Sequence, residues 1–71
     1  MSPEKMIMMT NQIASFFATQ PDADKAGRVA DHLREFWEPR MLAQLYAHVD
    51  AGGEGLSPLA LEGALKLRAT A

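Results

Sequence analysis

Seventy-one residues make one domain at most, and a chain of this size buries only about 60% of the surface that its unfolded form exposes. With no cysteine, the chain has neither disulfides nor thiolate metal sites to support so thin a core, which leaves a partner surface as the remaining source of stability. At 48% hydrophobic and 23% charged it is too apolar for intrinsic disorder, and a net charge of -2 gives no long-range attraction for nucleic acid or anionic lipid.

Ser2 followed by Pro3 is a helix start, because the serine oxygen accepts from free amides while proline at the first helical position forfeits no hydrogen bond. The first helix is predicted over about residues 3–18. At 100° per residue Met6, Ile7, Met9, Ile13, Ala14, Phe16 and Phe17 fall on one half of the cylinder, with Asn11, Gln12 and Ser15 opposite and Met8 out of place. That stripe is wider than one facing helix needs, and its methionines and phenylalanines suit two contacts at once. The apolar run from Met6 to Met9 is far too short for a signal or membrane-spanning segment, so the cytoplasm is the expected compartment.

Pro21 interrupts the pattern, and Asp22 or Asp24 can cap a second helix over about residues 23–37. Ala26, Val29, Ala30, Leu33, Phe36 and Trp37 share its apolar face. Asp24, Arg28, Asp31 and Glu35 make a solvated back with an expected Asp24–Arg28 pair. Pro39 pushes Glu38 out of helical geometry, which predicts an elbow and a third helix over residues 39–50. That helix presents Leu42, Leu45, Tyr46 and Val49 along one side, and Gly52 and Gly53 end it in a left-handed cap. Ser57 and Pro58 open a fourth helix, over about 58–68, with a weaker stripe of Leu61, Ala64 and Leu65. Its interior Gly63 costs about 1 kcal/mol relative to alanine. No segment alternates with period two, so the expected fold is all-α, a single small bundle of four short helices.

Chemistry is scarce along this chain. Ser2 and Ser57 read as caps and Ser15 lies on a polar helical face, so no serine stands beside a base as a hydrolase nucleophile would. His32 and Glu35 lie on adjacent turns, but a stable metal site wants three or four ligands and His48 sits on another helix. Asp50 to Gly55 has the glycine of a calcium loop, but Gly52 and Leu61 occupy the third and twelfth positions, where ligands belong. The glycines there also lack the lysine of a phosphate loop. Arg28, Arg34 and Arg40 straddle the elbow as in a helix-turn-helix. Asp24, Asp31, Glu35 and Glu38 interleave them and cancel the cationic face that phosphates require. The expected chain is non-catalytic and binds no metal or organic cofactor itself.

Phe36, Trp37, Glu38, Pro39, Arg40 and Met41 put two large rings, a rigid bend and a planar cation within six residues, a composition that interfaces favour. Phe36 reads as a residue that closes the core. For Trp37 and Arg40 two roles stay open, core or local contact on one side and partner contact on the other.

Three blocks carry a resemblance: N-Q-I-A-S-F-F (Asn11 to Phe17), V-A-D-H-L-R-E-F-W-E-P-R-M (Val29 to Met41) and G-L-S-P-L (Gly55 to Leu59). Together they resemble the delta subunit of soluble NAD-dependent molybdenum formate dehydrogenases. The middle block is the specific one, with His32, Phe36, Trp37, Pro39, Arg40 and Met41 at the family's spacings. The resemblance implies an accessory subunit of a cytoplasmic complex that oxidises formate to carbon dioxide and reduces NAD. In that complex the large subunit carries molybdenum bis-pterin guanine dinucleotide and iron-sulfur clusters, and companion subunits carry FMN and further clusters. The implied role is to stabilise or help mature the large subunit, against the alternative of a free-standing helical module or homo-oligomer with an unrelated partner. The candidate partner interface is Trp37 and Arg40 with Pro39 and Met41 at the elbow and Phe16 and Phe17 on the first helix. His32 and Asn11, from the resembling blocks, complete it.

Overall fold

The three proline-headed helices start where the sequence places them. A computed structural model describes all 71 residues and contains four helices: α1 (Pro3–Ala18), α2 (Lys25–Phe36), α3 (Pro39–Asp50) and α4 (Pro58–Ala69). The Ser2 hydroxyl accepts from the Lys5 amide and the Ser57 hydroxyl from the Ala60 amide, both at 3.2 Å, which satisfies donors that a helix start otherwise leaves open. Asp24 is the cap of α2, accepting from the Gly27 amide at 2.9 Å. At the elbow Glu38 adopts φ -66° and ψ 153°, the extended geometry that a following proline imposes. The end of α3 closes as a Schellman motif. The Gly53 amide reaches back to the His48 carbonyl and the Gly52 amide to that of Val49, with φ of 68° and 117° at the two glycines. No helix is long and apolar enough to cross a membrane.

The four helices close around one core of Met6, Ala14, Val29, Ala30, Leu33, Trp37, Leu45, Val49, Ala60, Ala64 and Leu67. The most extensive packing is α2 against α4. Here the structure differs from the stripe expected for α4. The buried row is Ala60, Gly63, Ala64 and Leu67, while Leu65 is half exposed. The row follows the i, i+3, i+4, i+7 spacing of a core face, and its first three members are small where α4 runs close to α2, with Leu67 the one large residue in it. At Gly63 a methyl group would stand 2.6 Å from Val29 Cγ1, so the two helices lie too close there for a side chain to fit.

On α1 the buried line is Met6, Thr10 and Ala14. Thr10 is fully buried and its hydroxyl donates to the Met6 carbonyl at 2.8 Å, so the polar group costs little there. The expected wide stripe therefore divides. Ile7, Met9, Ile13 and Phe17 pack partly against the core, whereas Phe16 points outward, 59% exposed.

Candidate interaction surface

The last two turns of α1 and the second half of α2 lie side by side, and their aromatic residues join into one surface ribbon. Phe16 meets Phe17 edge to face with ring centroids 5.1 Å apart, and Phe17 meets His32 in the same way at 5.9 Å. His32 then lies tilted against Phe36 at 4.7 Å. These are the separations and angles at which ring quadrupoles attract, so the rings hold one another in place without a covering layer. The two outer rings are open: Phe16 is 59% exposed and Phe36 66%. Phe17 and His32 between them are half-buried.

At the Phe16 end the ribbon borders a shallow cleft of about 230 Å³ lined by Phe16, Phe17, Gln20, Asp22 and Arg28. The Arg28 Nε donates to Asp22 Oδ2 at 2.7 Å while Asp22 Oδ1 accepts from the Asp24 amide at 2.8 Å. The Asp24 amide first, and then the Arg28 guanidinium, hold the Asp22 carboxyl below its ordinary value of 3.8, and the same pair raises Arg28. The ion pair expected between Asp24 and Arg28 is thus replaced. Asp24 is committed to capping α2 and faces Lys66 at 3.8 Å, while Asp22, in the turn before the helix, reaches the guanidinium.

The predicted interface residues divide into three groups. Phe16, Phe17 and His32 come together in the ribbon. Pro39 and Arg40 are exposed on the first turn of α3, and Arg40 enters none of the chain's ion pairs. Trp37, Met41 and Asn11 make contacts within the chain. Trp37 is 7% exposed within the core cluster and Met41 packs partly against it. Trp37 leaves helical geometry at φ -91° and ψ 139°, so its indole turns inward after α2 has ended. Phe36, the last helical residue, is left outside, contrary to the expectation that it closes the core, and of the two roles left open for Trp37 the structure shows the core one. The expectation that Phe36 closes the core rested on helical periodicity, and periodicity ceases to fix direction where the helix stops.

Asn11, expected on the solvated side of α1, is a clamp. Its Nδ2 donates to the Gly55 carbonyl at 3.0 Å and its Oδ1 accepts from the Ser57 amide at 2.8 Å, so one side chain fastens the α3–α4 connection to α1. His48 holds the same loop from α3 through a 2.7 Å hydrogen bond between its Nε2 and the Glu54 carbonyl. We predict that Asn11→Ala, which leaves both backbone groups without their partner, lowers stability by about 1–2 kcal/mol. The shift of the urea midpoint at constant slope measures it, and an unchanged midpoint would remove the clamp from the account.

The family model described as NADH-dependant formate dehydrogenase delta subunit FdsD matches residues 5–64. The chain belongs to this family. The matched span of the delta subunit contains the whole ribbon, the core tryptophan and the Asn11 clamp, and it stops at Ala64, within α4. A comparison with curated proteins gives no match.

Proposed function

We propose that this chain is a cofactor-free, non-catalytic delta subunit that binds the large molybdenum subunit of a cytoplasmic NAD-dependent formate dehydrogenase and stabilises it or helps it mature. The observation that carries this reading is the ribbon: a formate dehydrogenase subunit leaves two phenylalanines, Phe16 and Phe36, more than half exposed beside each other's aromatic neighbours. Aromatic rings in a continuous patch are the typical core of a protein interface, and polar residues such as Arg40 form its rim. Formate oxidation, with its molybdenum cofactor, iron-sulfur clusters and FMN, belongs to the other subunits in this reading.

The test is co-expression of the full chain with the large subunit, comparing wild type with Phe16→Ser and Phe36→Ser. Both side chains are exposed, so each variant is expected to melt like wild type. Loss of an interface ring at the centre of a contact costs about 2 kcal/mol or more, or roughly thirtyfold in affinity. Variants that co-purify with the large subunit as well as wild type would refute the ribbon as the docking face. A complex of equal activity, cofactor content and thermal half-life with the chain deleted would refute the accessory role. A self-associating chain that ignores the large subunit would make it a homo-oligomer instead.

A further inference from the structure

The ribbon is not purely apolar. His32 stands inside it, between Phe17 at 5.9 Å and Phe36 at 4.7 Å, and its ring nitrogens make no hydrogen bond within the chain. The chain's other histidine differs in this respect, since His48 is spent on the Glu54 carbonyl. No fully buried side-chain nitrogen lacks a partner, so in the free subunit the His32 nitrogens are reached by water. An imidazole carries at least one N–H donor in either charge state. When a partner covers Phe16 and Phe36, that donor leaves water, and an unsatisfied buried donor is strongly disfavoured.

We infer that His32 is the specificity-determining residue of the docking face, and that the surface covering it carries one hydrogen-bond acceptor oxygen aligned on the imidazole N–H, with the second ring nitrogen kept in contact with water at the edge of the contact. This deepens the proposed function and rests on the ribbon being the docking face. Two other cations of α2 already have partners, whereas the unpaired Arg40 lies on α3 beyond the elbow. Arg28 is directed to Asp22, and Arg34 is divided between Asp31 at 2.8 Å and the Thr70 hydroxyl at 3.0 Å. The rings supply area without direction, whereas a single N–H between them fixes the register in which the two surfaces meet. A purely apolar surface is therefore rejected, because it would strand the donor.

The experiment uses the full chain co-expressed with the large subunit and three substitutions, each paired with a melt of the free variant. His32→Phe keeps the aromatic packing and removes the donor. His32→Gln keeps an N–H donor and removes the ring, and Phe36→Ser reports on the ribbon itself. The expected result is that His32→Phe folds normally yet docks about tenfold or more weakly, since the partner's acceptor is left unpaired. His32→Gln is expected to dock better than His32→Phe despite its poorer packing. If Phe36→Ser abolishes docking while His32→Phe docks as wild type, the inference about His32 falls and the ribbon stands. If Phe36→Ser docks as wild type, the ribbon reading falls first. Should His32→Phe fail to fold, His32→Gln against His32→Leu decides: equal docking by those two overturns the inference, and a deficit confined to His32→Leu upholds it.

Discussion

Trp37→Ala should lower the melting midpoint of the free subunit by about 12–40 °C. The indole is 7% exposed, touches the core at the point where α2 gives way to the elbow, and has no counterpart of its size elsewhere in the chain, which holds a single tryptophan. Truncating a buried aromatic to alanine costs about 3–5 kcal/mol. A domain is stable by only roughly 0.05–0.15 kcal/mol per residue, about 4–11 kcal/mol for 71 residues, so about a third to all of the stability goes with it. Each kcal/mol lost moves the midpoint by about 4–8 °C in a domain this small. Circular dichroism at 222 nm against temperature is the measurement. A variant with wild-type melting that fails only to bind the large subunit would return Trp37 to the interface and contradict the packing described here.

Gly63→Ala should also destabilise, against the ordinary expectation for a helix interior. On propensity alone the alanine gains about 1 kcal/mol. The added methyl, however, would stand 2.6 Å from Val29 Cγ1, 2.7 Å from Val29 Cβ and 3.2 Å from the Ala26 carbonyl oxygen. None of these is the free end of a flexible chain, since valine is branched at Cβ and holds one rotamer in a helix, so α2 and α4 must separate to make room. Overpacking of this kind costs about 1–3 kcal/mol. The net expectation is a loss of up to about 2 kcal/mol, growing steeply for Gly63→Val. Val29→Ala provides the control: combined with Gly63→Ala it opens the space that the methyl needs, and the double variant should lose at least about 0.5 kcal/mol less than the two single losses together. A raised melting temperature for Gly63→Ala would show that the helices are not in close contact there.

These two residues mark where sequence reasoning stops. The helix starts were legible because their causes are local: Ser2-Pro3, Ser57-Pro58 and Glu38-Pro39 act through bonds and hydrogen bonds within a single turn. The glycine cap after α3 was legible for the same reason. The family resemblance was legible because the order of residues in the middle block persists in the sequence whatever the fold does with it. Asn11 was not legible as a clamp, since its two partners, Gly55 and Ser57, lie more than forty positions along the chain.

The direction of a side chain beyond the end of a helix, and the depth at which two helices meet, are properties of the assembled bundle. Phe36 and Trp37 are adjacent and both aromatic, and only the extended backbone at Trp37 sends one inward and leaves the other on the surface. Likewise the face of α4 that is buried is chosen by its packing in the bundle, which takes Ala60, Gly63, Ala64 and Leu67 and leaves Leu65 half exposed. By itself the sequence determined the four helices, the elbow and the family, because short-range sterics and residue order suffice for those. The tertiary structure decided which aromatic residues form the core and which form the exposed ribbon, because that choice depends on contacts between helices that no single segment encodes.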